Sequence, residues 1–144
     1  SAEWLMAQLN QVPIPEPERQ QILERKRQVS PKKYWVMISV PTHEFDRQSK
    51  SLLIDYSMYW AETLQSQSEQ IAWCVSPENE RYMTYNTPVL RSPYAKIECP
   101  PLIVVCRQIE WILEENKPIS RFRTILESWV KDFLVEKDQL SDDD

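Results

Sequence analysis

Glycine is absent from all 144 residues of this chain. Average usage of about 7% would place roughly ten. Glycine supplies positive φ and lets a backbone approach a ligand closely. Its absence removes the P-loop, the dinucleotide-binding fingerprint and the nucleophile elbow together, since each is built around glycines. Readings as an NTPase, a Rossmann oxidoreductase or an α/β-hydrolase lose their main support. Left-handed backbone positions fall instead to asparagine and aspartate, and Asn10, Asn79, Asn86 and Asn116 are the candidates.

Histidine is nearly absent too. His43 stands alone, which excludes a multi-histidine metal site. The three cysteines, Cys74, Cys99 and Cys106, form no Cys-x-x-Cys pair and are odd in number. A disulfide framework or zinc knuckle is therefore not expected. All three sit in apolar runs, where a free thiol behaves as a small core hydrophobe. That usage suits a reducing, cytoplasmic compartment. No apolar stretch approaches the ~18 residues of a membrane span, so no membrane partner is expected. No cofactor, metal or catalytic residue is assigned.

What is present is an ordinary supply of core-forming residues. The chain is 42% hydrophobic with six tryptophans, enough for one domain of this length. The net charge is −5, whereas nucleic-acid modules usually carry a basic excess. Asp142, Asp143 and Asp144 supply part of that acidity.

Hydrophobic periodicity places the elements. Residues 2 to 12 read as a short helix, followed by an extended connector at Pro13, Pro15 and Pro17. Glu16 to Gln28 is helical in propensity but thinly apolar. Tyr34 to Val40 is nearly continuously apolar and predicts a strand buried on both faces. A helix from His43 to Gln65, capped by Thr42, carries Phe45, Leu52, Leu53, Tyr56, Tyr59, Trp60, Thr63 and Leu64 on one stripe. Ile71 to Val75 is a second strand. Tyr82 to Tyr85, Val89-Leu90 and Tyr94 to Cys99 are further strand candidates. Pro101 opens a helix whose apolar face is Leu102, Val105, Cys106, Ile109, Ile112 and Leu113, and Asn116 stops it. The last helix carries Phe122, Ile125, Leu126, Trp129, Val130, Phe133 and Leu134 at helical spacing.

Strand, amphipathic helix and strand from Tyr34 to Val75 predict a βαβ unit with parallel strands. The expected fold class is α/β, with α+β as the alternative: a small mixed sheet of three to five strands containing that unit, flanked by helices, with two C-terminal helices. The expected organisation is a helical arm with its proline connector over 1–28, a globular domain over 29–138, and a disordered acidic tail over 139–144.

Chemistry-bearing features are few. His43 lies beside Glu44 and Asp46, an arrangement that would suit a general base in a small enzyme, but it also reads as a capped helix start. Arg25, Lys26, Arg27, Lys32 and Lys33 precede Tyr34 and Trp35. Cations beside aromatics can contact single-stranded nucleic acid, so these five are candidate contacts for an accessory role there. Trp4 and Leu5 sit on the short N-terminal helix, and Trp111 lies off its helical stripe. All three are candidate protein-binding residues, because spare tryptophans commonly anchor interfaces. The leading expectation is a non-catalytic protein-interaction or regulatory domain within a larger protein, binding a protein partner or a second copy of itself.

Overall fold

A computed structural model describes residues 2–76 and 86–134. The architecture is mixed helix and sheet, dominated by helices. The predicted strand at Tyr82 to Tyr85, the candidate Asn79 and the acidic tail over 139–144 lie outside the described residues. In chain order the elements are α1 (Ala2–Gln8), β1 (Gln11–Pro13), α2 (Glu16–Val29), a 3₁₀ helix (Lys32–Met37), β2 (His43–Phe45), α3 (Arg47–Gln65), β3 (Ala72–Val75), β4 (Pro88–Arg91), α4 (Pro101–Glu115) and α5 (Arg121–Leu134). The chain forms two compact units. One is Gln8–Ser51; the other joins Ser1–Ala7 to Leu52–Asp144. Residues of the predicted N-terminal arm are thus shared between them.

The larger unit owes its core to helical stripes that the sequence displays. Val105 and Ile109 of α4, Phe122 and Phe133 of α5, and Leu53, Trp60, Ala61 and Leu64 of α3 are buried. Leu5 of α1 is fully buried as well. Tyr59, placed on the α3 stripe from its spacing, is exposed. Pro101 occupies the first turn of α4, where its missing N–H costs nothing. Asn116 ends that helix at φ 51°, and its amide bonds the Trp111 carbonyl. Asn86 takes the other left-handed position among the described residues, at φ 55°. Both are among the candidates that residue type suggests, while Asn10, another of them, does not take positive φ. Buried hydroxyls are satisfied: Ser57 Oγ donates to the Leu53 carbonyl at 2.6 Å, and Ser92 Oγ to the Phe133 carbonyl at 2.5 Å.

The sheets depart from expectation. Each is a two-stranded antiparallel pair, β1 with β2 and β3 with β4. The βαβ unit and the three-to-five-stranded sheet do not form among the described residues, since the strands flanking α3 belong to different pairs. Tyr34 to Val40 is not a buried strand. After Pro31 the chain winds into the 3₁₀ helix, with Tyr34 N–H on the Pro31 carbonyl at 2.9 Å and Ile38 N–H on the Trp35 carbonyl at 3.2 Å. Trp35 Nε1 donates to the Ser30 carbonyl at 3.0 Å, and the Arg27 guanidinium lies 5.4 Å from its ring centroid. These local partners satisfy the segment without a ladder, and Val36 is left 93% exposed. Tyr94 to Cys99 likewise makes only a single bridge, Leu90 with Cys99.

In the Gln8–Ser51 unit, α2 is tied to the chain that follows it. Arg19 donates to the Val40 and Pro41 carbonyls, each at 3.3 Å, and Lys26 Nζ to the Ser39 carbonyl at 2.9 Å. Asp46, not Thr42, caps α3: its Oδ1 accepts the Ser49 amide at 2.8 Å, while Oδ2 accepts from Asn10 at 3.1 Å. Asn10 N–H in turn donates to the Ser49 hydroxyl at 2.8 Å.

Two predictions follow from this packing. Phe133→Ala, at a fully buried site that meets Trp129 edge-on at 5.4 Å, should cost about 3–5 kcal/mol in denaturant melts. Trp129→Ala, at a half-buried position, should cost less. The bonds from Ser49 and Asn10 hold the Asp46 carboxyl below its ordinary value of 3.8. Its contribution is therefore present above that value and lost as pH falls through the lower, folded-state value. The stability gap between the native chain and Asp46→Asn should be open near pH 7 and close as pH falls below the ordinary carboxyl value of 3.8 in urea melts.

Candidate functional site

The larger unit carries an open apolar groove of about 600 Å³, a size typical of ligand and peptide sites. Ile54 and Met58 of α3 form one wall. They lie one turn apart on the same helical face, outside the buried stripe, and both are exposed. Pro101 and Leu102 of the first turn of α4 close one side. Trp73, Cys74 and Val75 of β3 make the other wall, with Thr87 and Pro88 beside them.

That three consecutive strand residues line the groove is informative. Neighbouring side chains on a strand point to opposite faces. All three can contribute only where the groove runs along the strand's edge. The hydrogen-bond register agrees. In an antiparallel pair, residues that exchange backbone bonds alternate with residues that do not. Ser76 N–H bonds the Thr87 carbonyl at 3.0 Å, just beyond the Val75–Pro88 pair of the β3–β4 register. Two residues further, Cys74 and Val89 are again a bonded pair, and then Ala72 and Arg91. Trp73 and Val75 fall between. The other side of the hairpin confirms the alternation: Leu90, opposite Trp73, donates its N–H to the Cys99 carbonyl at 2.8 Å and accepts the Cys99 N–H at 2.9 Å. The N–H and C=O groups of Trp73 and Val75 therefore point away from β4, to an edge that pairs with no strand among the described residues.

The residues singled out from the sequence lie elsewhere. Leu5 is fully buried in the larger unit, and Trp4 beside it is exposed. Trp111 is half-buried. The Arg121 guanidinium covers its ring at 4.4 Å and also donates to buried Gln108 at 3.2 Å, so Trp111 helps join α4 to α5. Arg25, Lys26, Arg27, Lys32 and Lys33 are all exposed. Lys32 and Arg27 attend Trp35, at 6.0 and 5.4 Å, and Lys33 attends Tyr34 at 4.9 Å. A cleft of about 420 Å³ beside Trp35 is lined by Gln20, Leu23, Glu24, Arg27 and Gln28.

His43 lies in β2, not in a helical first turn, and is exposed. Its Nδ1 meets Thr42 Oγ1 at 2.9 Å. Glu44 is engaged by Lys50 at 3.0 Å and Asp46 by its capping bonds. Neither acid orients the imidazole. No group of three or more candidate metal ligands occurs among the described residues. The helix acids form a solvated face, with Glu110 on Arg107 and Glu127 on Arg123. No described helix is long and apolar enough to cross a membrane.

Comparison with protein-family models, with curated proteins and with solved structures finds no match to this chain.

Sequence reasoning passed over the groove because its residues are scattered through four elements. One signal was legible: Ile54 and Met58 are apolar residues off the α3 stripe, four apart.

The cysteines differ in environment. Burial pushes the Cys99 thiol well above its usual range, and burial together with Glu110 raises Cys106. A disulfide-exchange reagent near pH 8 should leave Cys99 unmodified until denaturant is added, and Cys99→Ser should not change the number of thiols titrated in the native state. Rapid native modification of Cys99 would contradict its placement.

Proposed function

We propose that the chain is a non-catalytic protein-interaction module that receives an extended segment of a partner as an added strand on β3. The observation that carries this is the outward direction of the Trp73 and Val75 backbone groups along an apolar groove. Strand addition uses main-chain bonds for affinity and side-chain pockets for selection. Here the open edge offers two donors and two acceptors. Ile54, Met58 and Leu102 offer apolar surface to every second residue of the incoming segment. The preferred ligand is a short peptide with alternating apolar residues and no proline at the paired positions. A regulatory role within a larger protein is consistent with this kind of recognition, as is capture of a strand from a second copy.

Selection of a displayed random peptide library on the purified chain tests the reading. Enriched peptides should show period-two apolar patterning. Val75→Pro removes a donor directed at the groove and no bond of the β3–β4 pair, so it should weaken those peptides by at least about tenfold while preserving the fold. Met58→Asp should do the same through the opposite wall. Peptides that bind Val75→Pro as well as the native chain, or that carry helical periodicity, would contradict strand addition.

A further inference from the structure

The Gln8–Ser51 unit holds a second feature that strand recognition does not use. From Arg25 to His43 the chain carries five cations and no Asp or Glu, although its overall charge is −5. Among the described residues, none of the five is within ion-pair distance of a carboxylate. Lys26 is bonded to a neutral carbonyl and Arg25 to the Gln21 carbonyl, which leaves their charge uncompensated. In the same stretch Val29, Tyr34, Val36 and Met37 are turned outward, while Trp35, Ile38 and Val40 are half-buried. Val29 is 83% exposed, Met37 76%, and Tyr34 48%. The 3₁₀ repeat of three stacks Lys33 with Val36, Tyr34 with Met37, and Lys32 with Trp35. Two of these columns are wholly exposed, and each ends on an aliphatic side chain.

We propose that the end of α2 and the 3₁₀ helix form a docking tip for an anionic lipid membrane surface. Clustered Lys and Arg are attracted to the negative potential of acidic lipids, and aliphatic and aromatic side chains enter the headgroup boundary beside them. Both parts are present on one short segment. Single-stranded nucleic acid would use the charges but not Val29, Val36 and Met37, because stacking needs open aromatic faces. Trp35 is half-buried, with Arg27 and Lys32 at its ring. Charge complementarity together with exposed aliphatic tips therefore favours the lipid surface. The contact is peripheral and needs no spanning helix, and it runs counter to the sequence-based expectation of no membrane partner.

The test is co-sedimentation of the full chain with vesicles of phosphatidylcholine alone and of phosphatidylcholine with about 30% phosphatidylserine. Binding to the anionic vesicles should exceed binding to the neutral ones by about tenfold or more and weaken as salt rises from about 0.05 to about 0.5 M. Lys32→Glu with Lys33→Glu should abolish it. Val36→Ser with Met37→Ser keeps every charge and should still weaken binding several-fold. These positions are so exposed that circular dichroism should show an unchanged fold. Equal binding to both vesicle types, an undiminished affinity in the serine variant, or binding to a single-stranded oligothymidine with none to vesicles would each overturn the proposal.

Discussion

Leu90 gives both of its backbone hydrogen bonds to Cys99, and the shape of the larger unit's groove depends on that choice. In an antiparallel ladder each residue faces one neighbour or the other. With Leu90 turned toward Cys99, the facing residue Trp73 must turn the other way. β4 is thus flanked on both sides, while the other edge of β3 pairs with no strand among the described residues. The side chains of Val89, Leu90 and Cys99 around this bridge are all fully buried. The groove is the space left between that edge and the outer face of α3.

Exposed strand edges are a hazard that proteins usually blunt with prolines, charges or very short strands. β3 is only four residues long, and Pro88 lies opposite its last residue. That brevity limits uncontrolled pairing. It also limits the affinity the backbone alone could provide, so the proposed strand recognition would draw mainly on the apolar walls at Ile54, Met58 and Leu102. A short edge inside a shaped groove favours selection over promiscuous aggregation.

The absence of glycine shapes the rest. The two left-handed positions among the described residues fall to Asn86, two residues before β4, and Asn116, at the end of α4. These were readable in the sequence because residue type alone restricts which positions can take positive φ. The stripes of α4 and α5 were readable for a similar local reason: helical spacing decides burial when a helix has one partnered face. Tyr34 to Val40 was misleading. A run of apolar residues signals burial only if something covers it, and Trp35 finds its partners within eight residues, in Arg27, Ser30 and Lys32. Strand pairing was illegible because register and edges depend on contacts between distant segments. The groove shares that limit, since only the Ile54–Met58 spacing hinted at it.

Amide hydrogen exchange along the hairpin tests the central claim most directly. The Trp73 and Val75 amides should exchange quickly in the free chain, while those of Cys74, Leu90 and Cys99 are protected by the bonds they make. Addition of a selected peptide should slow Trp73 and Val75 and leave the other three unchanged. Protected Trp73 and Val75 amides in the free chain would show that the edge is already occupied, and the account of a receptive strand would fail.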